Sequence, residues 1–592
     1  MVWIPKRTIA ECDAILCGKG MPHEMETCVI DGRVLRVYKN LWPSLRTFWL
    51  ESSTQNKDST YVVYENQRMT YGTALERSLK AAIVFERDYS IQKGDRVAIC
   101  SRNLPEYLVA WWGCHLIGAV PVLVNAWLPS DPLVHCIKST GSKVLLLDRE
   151  RADRLYSQAD SLYAGGVTGV IVLEDNPSHK WPGFKQWNAV LSNPGLDPEV
   201  ILSRDIRIDP EDNAAIIFTS GTTGLPKGVL STQRQYLTNL RNTAIAGLRS
   251  VLRRGDDLPS DPTGPQRGLL LSVPFFHVTG STSLTMVATA NGLKIVLMRK
   301  WDAQQDCPIE SDLLNSLVKA ENIRVAGGVP SMVTDLMNVL GPDDIDSLLF
   351  GGAAAPEQLP GRAKVVFPKA VATQAYGMTE TNSVAVSIGG EDYEHRPTCL
   401  GLPCLVNDVI IVRDGVVQPP GGVGEIWIRG PDVMKCYWGD PEATKQAITL
   451  DGWIRTGDRG EKDAEGFIYM HDRIKDLIIR GGENIATVEN ALYKDERLRE
   501  VAVVGVPDEK LGELVAAIVV TKPEFHGKVK ESELIELARS RLPYFAVPVM
   551  ILVQSQSFEL TPSAKIVKAP LRVIARDEWD RRKSEMVPTA RL

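Results

Sequence analysis

Residues 216–230 read IIFTSGTTGLPKGVL. The apolar run Ile216 to Phe218 predicts a strand, and it feeds into a stretch dense in glycine, serine and threonine. Gly221 and Gly224 permit backbone angles and close approach that other residues resist. Ser220, Thr222 and Thr223 supply hydroxyl donors, and Lys227 supplies a mobile positive charge. Consecutive backbone amides with such donors suit a polyphosphate, so the loop from Thr219 to Gly228 reads as a phosphate cradle. It is not a Walker A loop, which has four residues between its glycines and a Ser or Thr after the lysine. Here two residues separate Gly221 from Gly224, and Gly228 follows Lys227. A plain surface loop is the blander alternative, and the density and order of these residues weigh against it.

Outward from the loop, strand and helix patterns alternate. VVYENQRMTYGTALERSLKAAIVFE reads as a short strand before a helix, and Val97 to Cys100 as a strand. SRNLPEYLVAWWGCHLIG then reads as a helix, and VPVLVN, KVLLL (143–147) and GVTGVIVL (166–173) as strands. Strands at 268–273 and 294–298 follow an exposed loop at 254–267. Such alternation predicts mainly parallel sheets with covering helices. The texture shifts at 402–430, where apolar and polar residues alternate between tight turns, as in short β-strands. After Arg473 it shifts again. VENALYKDERLR reads as a helix, VAVVGVPD and ELVAAIVV as strands and ESELIELARSRL as a helix, which makes a small α+β unit. From Arg572 onward the chain reads as a charged surface tail, and residues 1–60 show no decisive pattern.

A chain of 592 residues exceeds what one core usually holds, so at least two domains are expected. A formal net charge of -6 gives no hint of a nucleic-acid partner. Ten cysteines and eight histidines are scattered without a metal-cage or disulfide pattern. The opening MVWIPKRTIAECD lacks the apolar run of a secretory leader. Tyr107 to Val124 carries no acid, lysine or arginine, but Gly118 and Pro121 interrupt it. A buried helix running into a buried strand is the preferred reading over a membrane span.

The loop resembles the signature of the adenylate-forming superfamily, which includes acyl-CoA synthetases, aryl-CoA ligases, beetle luciferases and the adenylation domains of peptide synthetases. Other stretches match in the same order: PFFHVTG (274–280), GGAAAP (351–356), YGMTET (376–381), GEIWIRGPDVMKCYW (424–438), GWIRTGD (452–458) and DRIKDLIIRGGENI (472–485). The resemblance spans roughly residues 60–570 and points to the acyl-CoA ligase branch. It implies an α/β fold: a large N-terminal domain of two mostly parallel α/β layers plus a small β-rich subdomain, followed by a small mobile α+β C-terminal domain. The expected boundaries are 1–60 for an N-terminal extension and the start of the large domain, 61–474 for the AMP-binding domain, 475–570 for the C-terminal domain and 571–592 for the tail.

The resemblance also implies roles, position by position. Thr219, Ser220, Gly221, Thr222, Thr223, Gly224 and Lys227 would hold the β- and γ-phosphates of ATP. Gly351, Gly352 and Ala353 would line the adenine side, with Tyr376 near the base and Gly377 beside it. Thr379 would bond the α-phosphate and Glu380 would hold Mg2+. Asp458 and Arg473 would grip the ribose. Lys565 would be the catalytic lysine, Lys475 and Asp476 the hinge, and Gly481 and Gly482 part of the loop that receives the CoA thiol. His277 would stand at the acyl pocket, with Val278, Thr279, Gly280, Ala326, Gly327 and Gly328 lining it. Residue chemistry supports these roles independently. A carboxylate attacking a phosphate needs positive charge to offset repulsion, which Lys565 and Mg2+ can supply. Glu380 offers magnesium a hard oxygen.

Two departures stand out. Ala564 occupies the position before the lysine where the family commonly has glycine, which leaves Lys568 as a fallback. Cys436 replaces a common glycine in the stretch ending at Trp438. The expected reaction is acid + ATP + CoA to acyl-CoA + AMP + pyrophosphate through an acyl-adenylate, with a fatty or other apolar acid as substrate and ATP, Mg2+ and CoA as cofactors. The alternatives are an aryl-acid CoA ligase, a ligase that passes the acyl group to a carrier protein, a luciferase-like oxidase and an inactive nucleotide-binding protein. Ala590-Arg591-Leu592 resembles a peroxisomal Ser-Lys-Leu address, so peroxisomal import through its receptor is expected, with the cytoplasm as the alternative. A monomer or homodimer is expected.

Overall fold

The computed structural model describes all residues except 1–2, 176–179, 220–224, 259–263, 299–310, 353–354, 474–477, 481–482, 486–487, 509–511, 543–545, 561–565 and 587–592. The chain forms two compact units. The first comprises residues 1–352, 360–409 and 427–456, and the second residues 353–359, 410–426 and 457–592.

In the first unit, one sheet carries the phosphate-loop hairpin at its edge. Its order is Cys436–Tyr437, Lys227–Thr232, Asn213–Thr219, Val120–Leu123, Arg96–Cys100, Val144–Leu147, Gly169–Val172 and Lys185–Gln186. From Asn213–Thr219 to Lys185–Gln186 every pairing is parallel, and the first two strands add antiparallel at the edge. The central strands are buried at every position, so they read as unbroken apolar runs. A second set of strands runs Thr60–Tyr64, Lys294–Leu297, Gly268–Leu271, Ile323–Gly328, Ser347–Gly351 and Val371–Tyr376, all parallel. The two layers and the helices between them match the expected α/β fold.

The uncharged stretch Tyr107 to Val124 divides into the helix Pro105–Leu116 and the strand Val120–Leu123. Gly118 makes the break, with φ of +71°. Among the described residues, no helix is long and apolar enough to cross a membrane. The helix is buried all round. Trp112 stacks on Trp49 at 4.5 Å, and its indole N–H donates to the Tyr61 hydroxyl at 2.9 Å. His115, 1% exposed, sits among Trp111, Trp112 and Tyr236. Neither of its ring nitrogens has a hydrogen-bond partner among the described residues, and burial pushes its pKa down to about 3.

Residues 1–60 acquire structure that the sequence pattern did not announce. The helix Ile9–Leu16 opens with a capping box between Thr8 and Glu11. The hairpin Met25–Ile30 with Arg33–Tyr38 follows, then the helix Leu45–Gln55. Cys12, Leu16 and Tyr38 pack with Ile245 and Leu252 of the long helix Gln233–Arg253. Arg249 donates to both carboxylate oxygens of Asp13, a charged fork that pins this segment to the long helix, and Arg253 donates to the Arg7 carbonyl at 2.9 Å.

The second unit is built on the strands Leu498–Asp508 and Gly512–Thr521, antiparallel to each other, with Met550–Gln554 parallel to the latter. Side chains alternate between two cores. Val501, Val503, Val515, Ala517 and Val519 face Leu492, Leu534 and Ala538 of the helices Val488–Leu492 and Glu531–Arg539. Ala502, Val504, Val506, Ala516 and Ile518 face Leu571, Ala575 and Trp579. Those last three residues correct the sequence reading. The charged segment after Arg572 belongs to the helix Lys568–Met586, whose apolar positions complete a core while its charges face out. The expected helix over VENALYKDERLR also ends early, at Leu492. The Asp495 carboxylate accepts from the Arg497 N–H and turns the chain, and the strand begins at Leu498. At 414–415, Asp414 and Gly415 both have positive φ, as a tight two-residue hairpin turn requires.

Burial of a neutral histidine gives the first unit a defined acid sensitivity. The folded pKa of His115 lies below the unfolded value of 6.5, so its contribution is complete above pH 6.5 and lost as pH falls toward 3. His23, pushed down to about 4 by burial, acts in the same direction. At pH 5 each costs about 2 kcal/mol of stability relative to pH 8. Denaturant melts of His115→Phe against the parent should show a smaller loss between pH 8 and 5, and an unchanged loss would contradict the assignment.

Candidate active site

The loop at 219–228 is the connection of a hairpin. Asn213–Thr219 pairs antiparallel with Lys227–Thr232, and Thr219 faces Lys227 at the open end of the ladder. The intervening residues Ser220, Gly221, Thr222, Thr223 and Gly224 lie outside the described residues. The strand Cys436–Tyr437 extends the hairpin on its outer side, with Val229 opposite Tyr437 and Leu230 opposite Cys436. Trp438 N–H donates to the Gly228 carbonyl at 2.7 Å, and Lys435 N–H to that of Leu230 at 2.9 Å. Gly228 is glycine for a packing reason, since a Cβ there would lie 2.9 Å from Ile216.

This pairing brings three side chains together. The Lys227 ammonium lies 5.2 Å from the centre of the Tyr437 ring, within cation–π range. The Tyr437 hydroxyl donates to Glu380 Oε1 at 2.7 Å. Burial and then the Glu380 charge raise the pKa of that hydroxyl far above its ordinary value, so it stays a donor. The Glu380 carbonyl accepts from Met434 N–H at 2.7 Å, so the residue is held by main chain and side chain alike. Glu380 is 6% exposed. Sequence reasoning named the stretch ending at Trp438 as a motif but gave Tyr437 no role.

Glu380 sits in a tight turn after the strand Val371–Tyr376. Thr379–Thr381 forms a single 3-10 turn, and Met378 N–H donates to the Thr381 hydroxyl at 2.9 Å. Asn382 and Ser383 then take positive φ values of 53° and 107°, which cost on the order of 1–3 kcal/mol each for such residues. Gly377 is required here, because a Cβ would sit on the Ser383 carbonyl. Gly351, paired with Ala375, ends the neighbouring strand, where a Cβ would lie 2.2 Å from the Ala375 carbonyl. Gly352 follows with φ of +75°. Gly351 and Gly352 thus lie beside Tyr376 as bare backbone, while Ala353 lies outside the described residues.

The expected acyl-pocket residues fall on two segments of the first unit. Asn103 accepts from Phe275 N–H and donates to the Val273 carbonyl, fixing the approach to Phe276 and His277. His277, Val278 and Thr279 are half-buried, and Gly280 is buried with the Pro274 carbonyl against its α-carbon. Trp127 meets Phe276 edge-on at 6.0 Å. Ala326, Gly327 and Gly328 end the strand Ile323–Gly328, all buried. The small size of Gly327 admits Leu284, which would lie 2.8 Å from a Cβ there.

In the second unit, Asp458 and Arg473 face each other across the strands Ile454–Lys462 and Ile468–Arg473. Asp458 is 6% exposed. The side chain of Arg473, with Lys475, Asp476, Gly481, Gly482 and Lys565, lies outside the described residues. Lys568 forms an ion pair with Glu489 at 2.9 Å.

The donor set fits magnesium. Among the described residues, no group of three or more His, Cys, Asp or Glu side chains could cage a metal by itself. Magnesium takes one or two carboxylates and leaves the other positions to phosphate and water, and Glu380 supplies one hard oxygen donor held in place by Tyr437.

Comparisons with known proteins show the family. The AMP-binding enzyme family matches residues 49–438, and the AMP-binding enzyme C-terminal domain matches residues 487–565. The long-chain-fatty-acid–CoA ligase FadD13 of Mycobacterium tuberculosis is 31% identical over 516 residues, 85% of this chain and 93% of that protein. The feruloyl-CoA synthase of an Amycolatopsis species is 29% identical, over 90% and 98%. Bacillus subtilis o-succinylbenzoate CoA synthetase, solved with its acyl-adenylate intermediate, superposes with a TM-score of 0.72 at 26% identity, over 89% of this chain and 97% of that one. The same enzyme has been solved with ATP and magnesium ion (TM-score 0.70, 27% identity). This chain belongs to the AMP-binding enzyme family. It is an AMP-forming acid–CoA ligase that works through an acyl-adenylate and uses ATP, Mg2+ and CoA.

The Tyr437–Glu380 bond makes a direct prediction. A hydrogen bond to a charged group contributes about 1.5–3 kcal/mol. Tyr437→Phe should therefore slow pyrophosphate release from ATP and acid by roughly tenfold or more and raise the Mg2+ concentration needed. Unchanged magnesium dependence would remove Tyr437 from the site.

Proposed function

We propose that this ligase activates an apolar carboxylic acid, with a fatty acid as the first reading. The carrying observation is the 31% identity to a long-chain-fatty-acid–CoA ligase across 85% of the chain. The segments assigned to the acyl pocket, 274–280 and 326–328, contain no Asp, Glu, Lys or Arg that would favour a charged substrate. An aromatic acid is the second reading, favoured by the likeness to a feruloyl-CoA synthase and by the aromatic edge of Phe276 and Trp127.

In the proposed sequence, the carboxylate oxygen attacks the α-phosphorus of ATP and pyrophosphate leaves. The CoA thiolate then attacks the acyl carbonyl, and AMP leaves. Thr219 to Gly224 and Lys227 hold the β- and γ-phosphates, Thr379 the α-phosphate and Asp458 with Arg473 the ribose. Glu380 holds Mg2+, which supplies charge neutralisation when bound. Lys565 offsets the negative charge that builds on the α-phosphate as the carboxylate attacks. Gly481 and Gly482 serve the thiol step, and Lys475 with Asp476 forms the hinge between a large domain at 61–474 and a small one at 475–570. The tripeptide Ala590-Arg591-Leu592 directs import into peroxisomes, which suits an apolar acid.

Chromatography of reactions holding ATP, Mg2+, CoA and one of octanoate, dodecanoate, palmitate, benzoate or ferulate tests the substrate reading. The fatty acids should give the fastest thioester formation, and turnover confined to ferulate or benzoate would replace the first reading by the second. Lys565→Ala should depress adenylate formation by two orders of magnitude or more; unchanged pyrophosphate release would disprove its role. Fluorescence of the tagged chain in eukaryotic cells should be punctate with the tripeptide and diffuse without it, and a diffuse signal in both would reject the address.

A further inference from the structure

The strained turn carrying Thr379 and Glu380 is held from behind by a buried polar network. Asn382 Nδ2 donates to the Asp432 carbonyl at 2.8 Å. Asp432, fully buried, accepts through Oδ1 from Asn407 Nδ2 at 2.6 Å and through Oδ2 from Asn242 Nδ2 at 3.3 Å. Asn242 Nδ2 also donates to the Val384 carbonyl at 3.0 Å, and Asn239 Oδ1 accepts from Val384 N–H at 2.9 Å. Ser383 Oγ accepts from Ser283 Oγ at 3.0 Å. Burial pushes the Asp432 carboxyl up to about 7, and the amides of Asn407 and Asn242 oppose that rise.

The outermost member of this network comes from the N-terminal hairpin, ahead of the stretch that the family matches. Tyr38 is 1% exposed, and its hydroxyl donates to Asn242 Oδ1 at 2.8 Å. The Asn242 amide can lie either way round. In one orientation its nitrogen faces Val384 and Asp432. Flipped, its oxygen faces their oxygens. Tyr38 donates only to the first.

We propose that Tyr38 is a positioning residue for adenylation, fixing the Asn242 amide so that Asn242 and Asp432 hold the Thr379–Glu380 turn in its strained form. The inference rests on the roles given to Thr379 and Glu380 above. Loss of the hydroxyl leaves Asn242 Oδ1 buried with one donor fewer, slackens the amide against Asp432, and loosens the turn at Val384 and Asn382. The hairpin thereby acts on the site from a distance, touching neither ATP nor the acid.

Full-length Tyr38→Phe, which keeps the ring and its packing, separates positioning from scaffolding. The probes are the fastest acid of the five above and its synthetic acyl-adenylate. Pyrophosphate release from MgATP and that acid should fall about tenfold in kcat, with a higher Mg2+ requirement. Thioester formation from the preformed adenylate and CoA should stay at the parental rate. Backbone amides of residues 378–384 should exchange with deuterium faster, while the central strands do not change. Val34→Ala, at an exposed position of the same hairpin, should leave both half-reactions intact. Equal losses in both half-reactions, no loss in either, unchanged exchange at 378–384, or the same defect in Val34→Ala would each overturn the proposal. Glu380→Gln, run in parallel, tests the underlying reading. If it adenylates normally, the site assignment fails. If it is impaired while Tyr38→Phe is not, only the positioning role fails.

Discussion

The carboxylate proposed to hold magnesium cannot be left bare inside a protein. Glu380 is 6% exposed, and burying a charge is costly unless hydrogen bonds replace the lost water. The fold answers with the Tyr437 hydroxyl, which donates to one carboxylate oxygen. Burial keeps that hydroxyl protonated, so the donor is fixed whatever the working pH. The rest of the first unit's site follows from putting Tyr437 where it can make this bond.

Tyr437 is placed by a two-residue strand, and so short a strand has little hold of its own. It depends on the ladder to Lys227–Thr232 and on the flanking bonds from Trp438 and Lys435. The same ladder sets Lys227 above the Tyr437 ring and closes the phosphate hairpin at Thr219. One edge of one sheet therefore positions Lys227 and Glu380 together. The parallel strands behind it, buried on both faces, are the rigid support. The turn that carries Glu380 has two consecutive non-glycine residues at positive φ, and the amides of Asn239, Asn242 and Asn382 hold it there. Strain persists only where surrounding contacts over-determine it.

Much of this was legible in the sequence where the signal was local. The run 216–230 announced the strand Asn213–Thr219 that leads into the glycine-rich stretch. The apolar runs at 97–100, 143–147 and 166–173 became parallel strands, and the stretch 107–124 became a helix and a strand broken at Gly118. The short β-strands at 402–430 were visible as period-2 patterns, and the small α+β unit after Arg473 as a succession of helix and strand patterns. What stayed hidden depends on contacts distant in sequence. Tyr38 meets Asn242 across 204 positions, and Asn242 meets Asp432 across 190, so no spacing rule finds them. The helix Lys568–Met586 looked like a tail because its charges outnumber its apolar residues. Only the sheet beneath shows that Leu571, Ala575 and Trp579 form a stripe.

The central claim is that Glu380, held by Tyr437, is the protein's carboxylate for the metal that accompanies ATP. Electron paramagnetic resonance of Mn2+, a spectroscopic substitute for Mg2+, reads this without any acid or turnover. Titrations with ATP should show the parent protein binding Mn2+ and ATP together, and Glu380→Gln doing so at least about tenfold more weakly, as the loss of one charged oxygen ligand predicts. Equal Mn2+ affinity in the two proteins would contradict the account.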